Sequence, residues 1–404
     1  MTDTPSSSSP VHLDAEQKAA LALFEPPAEG EIESEGEIEG AGTTRTTRAY
    51  LDSATYGLPP RTTVESLERA ARQWQAGSAR WKEDWDLEAE VCRAHVARLF
   101  GLVKTGEPDQ GPGEREISLM PAVSVASGLV ASAVPDGGEV LLAEEDFTSV
   151  TFPFLVVAQS GRIRVRSAPV EDLADAVSPE TSMVAVSVAQ SADGRLADLA
   201  GLRQALDRAR EQGAAGRLYV DASQALGSLP LDLRALGVDY ASCAAYKWLC
   251  CPRGVAFFYV REGLWQEPQA LTASWRGGDD PYGRYYGTDL ALAEDATRFD
   301  VSLAWHPWVG ARHALDALVT LGDRARFELG NGAARHFTRR LGLETPPAGI
   351  VTLSVSDGTA VAAEAERRGL RISARAGGAR VSFHFYNTPE QADLAAEVLA
   401  PYLP

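Results

Sequence analysis

The chain has 404 residues, of which 45% are hydrophobic and 23% charged. That is the composition of an ordinary folded protein but too much length for one compact unit, so a larger and a smaller domain are expected. A formal charge of -18 argues against a nucleic-acid partner, because binding a phosphate backbone draws on clustered Lys and Arg. The four cysteines (Cys92, Cys243, Cys250 and Cys251) have neither the number nor the spacing of a disulfide framework or a paired zinc site, and His306 and His313 lack a third ligand, so no metal is expected. With no basic-then-apolar leader and no apolar run long enough for a membrane span, a cytoplasmic location and no membrane partner are expected.

Residues 1–47 are rich in Ser, Pro, Glu and Gly and read as a disordered acidic tail, with a short helix allowed by the apolar spacing near Asp14 to Phe24. Residues 48–62 form a turn-rich arm, Tyr-Leu-Asp-Ser-Ala-Thr-Tyr-Gly-Leu-Pro-Pro at its centre, and helical periodicity follows over Thr62 to Trp74 and Asp86 to Phe100. Seven short apolar runs then appear: Ile117 to Met120, Val140 to Leu142, Ile163 to Val165, Met183 to Val188, Leu218 to Val220, Tyr240 to Cys243 and Val255 to Val260. Continuous apolar strands alternating with helices such as Leu199 to Glu211 predict an α/β domain over 63–308, with a mainly parallel sheet of seven strands. The last connection is too short for a helical crossover, so the final strand should be antiparallel. From 309 on, helices at Val309 to Leu321, Arg324 to Leu341, Thr359 to Arg368 and Pro389 to Leu399, with apolar runs at Gly349 to Ser356 and Arg380 to Phe385, predict a small α+β domain.

In an open parallel sheet, ligands collect at the carboxyl ends of the strands. Leu-Tyr-Val-Asp-Ala-Ser-Gln-Ala puts Asp221 and Gln224 at such an end, where Asp221 is either a helix cap or a carboxylate held for chemistry. Ala-Ala-Tyr-Lys-Trp-Leu places Lys247 among apolar neighbours at the end of the next run. Lysine is scarce here, occurring elsewhere at 18, 82 and 104. A buried ammonium is costly, so the amine should lose its proton readily and attack an aldehyde; the alternative is a surface lysine whose stem lies along the protein.

These residues, with the downstream Phe-Tyr-Asn-Thr, resemble the class V aminotransferase family of fold type I enzymes, whose members include cysteine desulfurases, kynureninases, isopenicillin N epimerase and C-S lyases. The resemblance runs from about Tyr50 to the C-terminus and implies a pyridoxal 5'-phosphate cofactor and an amino-acid-like substrate. It makes Lys247 the Schiff-base lysine and proton shuttle, pairs Asp221 with the pyridinium, sets Gln224 near the phenolic oxygen, and brings Tyr246 to the phosphate. Phe147 matches the ring-stacking aromatic, with a plain core phenylalanine as the alternative. Ser124 and Ser127, in Val-Ser-Val-Ala-Ser-Gly, match the phosphate loop, although the usual Gly-Thr-Thr is absent.

Arg380 matches the arginine that grips the α-carboxylate. Gln190 and Ser191 fall beside cofactor and substrate, as do Thr55 and Tyr56 of the arm and Tyr286 of the aromatic loop Trp275 to Tyr286. That loop and the following segment approach the partner's site in relatives, so a homodimer with shared active sites is implied. Ile-Ser-Ala-Arg-Ala-Gly-Gly-Ala (Ile372 to Ala379) has no cysteine, which removes persulfide chemistry of the desulfurase type. A C-S lyase acting by β-elimination on an S-conjugate, or an aminotransferase of secondary metabolism, is expected. Epimerisation and decarboxylation-dependent deamination stay open, as does, in another class, a non-catalytic cofactor-binding regulatory module.

Overall fold

The computed structural model describes residues 11–25, 47–103, 113–213, 216–344 and 346–404. In chain order come α1 (Ala15–Ala22), β1 (Ala49–Tyr50), α2 (Arg61–Ala76), α3 (Glu88–Leu99), β2 (Ile117–Met120), α4 (Val123–Ala133), β3 (Glu139–Ala143), α5 (Thr148–Gln159), β4 (Arg164–Ala168), α6 (Leu173–Ala176), β5 (Thr181–Ser187), α7 (Leu199–Glu211), β6 (Arg217–Asp221), β7 (Tyr240–Ala244) and β8 (Ala256–Val260). Seven of these strands form one sheet in the order β2-β8-β7-β6-β5-β3-β4. β8 runs antiparallel to both β7 and β2, and the remaining pairs are parallel. The fold is α/β, as the sequence predicts.

Alternation along the central strands explains the two covered faces. Leu218 and Val220 of β6, Ala241 and Cys243 of β7, and Phe257 and Tyr259 of β8 enter one core with α3, α7 and α8 (Trp305–Leu321). Tyr219, Tyr240 and Phe258 point the other way, into a second core with α4 and α5. A strand buried on both faces has no polar side to show, which is why these runs are continuously apolar.

The small domain begins later than position 309. Trp308, Ala311, Ala314 and Leu315 of α8 share a core with Ala89 and Val96 of α3, so α8 belongs to the large domain. The chain crosses over at α9 (Asp323–Leu341), followed by β9 (Ile350–Leu353), α10 (Gly358–Arg367), β10 (Leu370–Arg371), β11 (Ser373–Arg375), β12 (Gly378–Ser382) and α11 (Pro389–Leu399). β11, β12 and β9 make an antiparallel sheet, while β1 of the arm pairs in parallel with β10. The arm is thereby tied to the small domain, and it lies between the domains.

The short helix allowed near Asp14 to Phe24 is α1, and it is docked on the large core. α1 is capped by Asp14 in a reciprocal capping box with Gln17, and Ala20 and Phe24 are buried in the large core. Phe24 meets Phe385 edge-on at 4.8 Å, and Gln17 Nε2 donates to the Leu321 carbonyl. Ala20 and Phe24, with Leu21 and Leu23 packed beside them, dock it on that core. Residues 1–10 and 26–46 of the expected tail lie outside the described residues.

Candidate active site

The carboxyl ends of β6 and β7 set two groups side by side. Asp221 closes β6 and pairs in register with Ser242, two residues before the end of β7; Lys247 follows three residues after that end, in a tight turn into β8. The turn is pinned by Ala245 N donating to Val255 O, Cys250 N to Lys247 O and Cys251 N to Ala245 O, with Cys250 at φ 54. Lys247 is 6% exposed. Burial draws its pKa below the ordinary lysine value against the attraction of Asp221, with Arg380 adding to the fall. A surface lysine is excluded.

Asp221 is 4% exposed, and burial pushes its pKa up to about 6 although Ser223 and Lys247 oppose the rise. One oxygen, Oδ1, accepts from Ser223 N at 3.0 Å and Ser223 Oγ at 2.6 Å. It does cap the following turn, yet a cap alone needs no buried carboxylate. The Ser223 hydroxyl accepts from Ala244 N, locking β6 to β7 behind the pair.

Phe147, just before α5, is 45% exposed and presents its ring 5.2 Å from Lys247 Nζ. This is an open aromatic face beside the lysine, not a core phenylalanine. Asp146 fixes it by accepting from Ser187 N, Ser187 Oγ and Phe147 N. The half-buried Tyr246 ring lies 5.9 Å from Lys247 Nζ and 5.3 Å from the Arg253 guanidinium carbon.

Ser124 is exposed in the first turn of α4, which has no side-chain cap. Ser127 is not: its hydroxyl is fully buried, bonded to Val123 O and to the Tyr219 hydroxyl, which continues to Ser242. The Ser127 hydroxyl thus packs α4 onto the sheet, and Ser124 alone of the pair is free for an anion.

Arg380 is 1% exposed. Its NH1 group donates to Ser191 O at 2.5 Å and Ser191 Oγ at 3.3 Å; NH2 donates to Thr55 Oγ1 at 2.9 Å and Asp52 Oδ1 at 3.5 Å; Nε has no protein partner. Burial lowers its pKa to about 10, with Arg375 contributing, still protonated at neutral pH. Thr55 donates to Asp52 and accepts from both Arg380 and Arg375, which saturates its hydroxyl. It positions guanidinium groups and has no hydrogen bond left for a substrate.

Both amide hydrogens of Gln224 are likewise spent, on Ala54 O and Ser191 Oγ, while its Oε1 accepts from Trp248 Nε1. The freer amide is that of Gln190, 1% exposed, whose atoms reach no protein partner at hydrogen-bond distance although Asp146 is close enough to feel it. Tyr56 stands 44% exposed on the arm, its ring 5.1 Å from that of Tyr50. Tyr286 is 95% exposed with Tyr285 as its ring neighbour, and the contacts of this crevice do not reach it.

Sequence reasoning missed how the arm is held. Tyr386 bonds Ser53 Oγ and receives Leu58 N through its hydroxyl, Asn387 Nδ2 donates to Tyr50 O, and the rings of Trp248, His384 and Tyr386 stack in series. Phe-Tyr-Asn-Thr is thus the clasp between the small domain, the arm and the lysine turn. At the contact itself, Gly57 N donates to Tyr246 O, and a Cβ on Gly57 would sit 2.1 Å from the Lys247 carbonyl oxygen and 2.9 Å from Cys250 Sγ. Gly57→Ala should therefore cost about 1–3 kcal/mol, the usual penalty of overpacking, and loosen cofactor retention. Chemical denaturation and cofactor dialysis measure both; an unchanged midpoint would show that the arm is not seated on the lysine turn.

All four cysteines are buried, and burial raises every thiol pKa, so none is a nucleophile at the crevice. Among the described residues no group of three His, Cys, Asp or Glu could hold a metal ion. No helix of the described residues is long and apolar enough to cross a membrane.

The chain belongs to the class V aminotransferase family, whose profile matches residues 49–325. It is 27% identical over 336 residues to an uncharacterized aminotransferase, YcbU, of Bacillus subtilis (strain 168), covering 79% of this chain and 85% of that one. Isopenicillin N epimerase of Streptomyces clavuligerus is 30% identical over 351 residues, covering 76% and 83%. Among solved structures, the cystine C-S lyase C-DES in complex with cysteine persulfide superposes with a TM-score of 0.76 at 20% identity, covering 88% of this chain and 98% of that one, a likeness of fold.

The family's enzymes use pyridoxal phosphate, and the residues present fit it. A buried amine of lowered pKa, a buried carboxylate that lacks a full cationic partner, an open aromatic face, a serine in an uncapped helix start and a buried amide all close or follow strands at the same, carboxyl end of the sheet.

Proposed function

We propose that this enzyme catalyses β-elimination from an S-substituted, cysteine-like amino acid. The observation that carries the reading is the pairing of one buried amine, Lys247, with the open Phe147 ring 5.2 Å away, while all four cysteines are buried. A desulfurase transfers sulfur to a cysteine of its own; here elimination leaves sulfur on the departing group. In the related solved structure, C-DES is described as a C-S lyase, which agrees with this choice.

Bound pyridoxal phosphate supplies an electron sink for the bonds at the substrate's α-carbon. Lys247 would hold the cofactor covalently, then take the α-proton and return a proton to the leaving sulfur, work that suits an amine whose burial favours its neutral form. Asp221 would hold the ring nitrogen protonated, Phe147 would cover the ring, and Ser124 with the start of α4 would receive the phosphate. Arg380 would bind the α-carboxylate through Nε and its adjoining edge, with Ser191 and Thr55 fixing its plane.

The test is incubation of holoenzyme with cysteine S-conjugates and common amino acids, with assays for thiol, pyruvate, ammonia and keto acid. Thiol, pyruvate and ammonia in equal amounts are expected. A keto acid that keeps the substrate's side chain would make the enzyme an aminotransferase, and recovery of substrate with inverted configuration would make it an epimerase. The exposed Tyr286 fits a two-fold dimer in which loop 275–286 reaches the other copy's crevice, and sedimentation at the mass of a single chain would overturn that part.

A further inference from the structure

A second guanidinium lies beside that of Arg380. Arg375 ends β11, and the link to β12 is a two-residue turn in which Ala376 (φ 47) and Gly377 (φ 82) are both left-handed, the tight hairpin form. The turn is clamped from behind: Gly358 N at the start of α10 donates to Gly377 O, and a Cβ on Gly358 would lie 2.3 Å from Gly378 O. Arg375 therefore projects from a rigid tip. Its NH2 group donates to Thr55 Oγ1 at 3.3 Å, the same oxygen that Arg380 reaches at 2.9 Å, so the two guanidinium groups share one acceptor and face one space.

Their electrostatic situations differ. Arg380 is buried and has Asp52 beside it. Arg375 is exposed, its other contact is the Ala374 carbonyl, and it makes no ion pair with any described carboxylate. In a chain of net charge -18, where Arg93, Arg195, Arg217 and Arg276 each hold at least one acid, Arg375 stands next to Arg380 without one. Its charge is also felt at Lys247. Nothing in packing calls for it, since it covers no core.

We infer that Arg375 receives a second acidic group on the substrate, so that this crevice selects amino acids bearing a side-chain carboxylate, with the α-carboxylate on Arg380 and the distal one on Arg375. The inference rests on the amino-acid reading of the same site and adds the class of substrate. Two guanidinium groups hinged on one threonine fix both ends of a diacid, and the second contact reports side-chain length as well as charge.

The experiment uses holoenzyme and matched pairs: L-glutamate against L-glutamine, and S-carboxymethyl-L-cysteine against S-carbamoylmethyl-L-cysteine. Affinity is read from the change in the cofactor's visible absorbance on titration. Wild type should prefer the acid of each pair by about tenfold or more, as one charge-assisted hydrogen bond implies. In Arg375→Ala that ratio should collapse towards one, in Arg375→Lys it should be partly kept, and in Arg375→Glu it should invert. Wild type binding acid and amide alike, or Arg375→Ala keeping the full ratio, overturns the inference. Absence of the visible band from the wild-type protein would instead sink the assignment of the cofactor to Lys247, so the two failures are distinguishable.

Discussion

Lys247→Ala should abolish the visible absorption of the cofactor-loaded protein and reduce turnover by at least about a hundred- to ten-thousandfold, the range that a positioned general acid–base contributes. Two functions fall together in that variant, the covalent hold and the proton transfer, because a single amine performs both. The loss should not come through unfolding. The lysine turn is held by main-chain bonds among Ala245, Lys247, Cys250, Cys251 and Val255, none of which needs the side chain. Removing a buried amine also removes a desolvation cost, so the apo variant should unfold at a denaturant concentration no lower than wild type. A small primary amine added to the variant should restore part of the turnover. Retained absorbance, with borohydride trapping the cofactor on another lysine, would move the chemistry elsewhere.

The large domain was legible because its strands are short, apolar and separated by helices of ordinary length, and the antiparallel β8 followed from the length of one loop. Leu199–Glu211 and Pro389–Leu399 match the helices read from periodicity residue for residue. What escaped was decided by tertiary contact. α8 has a helical pattern that suits either domain, and only its packing on α2 and α3 assigns it to the first. The spacing near Asp14 to Phe24 allowed α1, but no local signal says that Phe385 waits for Phe24. The hairpin carrying Arg375 reads as loop because Arg-Ala-Gly-Gly lacks β-formers; its left-handed Ala376 is strained backbone that the clamp by α10 maintains.

The site shows the same division. Asp221 and Lys247 were legible because they follow apolar strands whose carboxyl ends converge, whereas Phe147 came from the family resemblance alone. The Ser127 hydroxyl is already bonded to Val123 O and the Tyr219 hydroxyl, a contact that the sequence around Ser124 does not announce. Gln224 and Thr55 are next to the chemistry yet saturated, whereas Gln190 and Arg375 are the groups with hydrogen bonds or charge to spare. Only a census of partners separates these cases.

Asp221→Asn should remove a specific pH dependence from the cofactor-free protein. The Asp221 pKa is raised from 3.8 to about 6, chiefly by burial. A carboxyl group whose folded pKa lies above its unfolded value stabilises the fold fully below about pH 4, and that contribution is lost as pH rises through 6. Two units correspond to about 3 kcal/mol, so apo wild type should lose about that much stability between pH 4 and pH 7 relative to apo Asp221→Asn, the difference cancelling the other titrating groups. A protonated ring nitrogen beside the carboxylate reverses the sign, because an opposite charge favours the ionised form. The cofactor should therefore stabilise wild type more at pH 7 than at pH 5, and should stabilise the asparagine variant with little dependence on pH. Turnover of the variant should fall by at least about a hundredfold, since an amide cannot hold the nitrogen's proton. Denaturant unfolding of apo and loaded protein at both pH values measures the first part, and parallel stability profiles for wild type and variant would show that Asp221 is solvated and faces no cation.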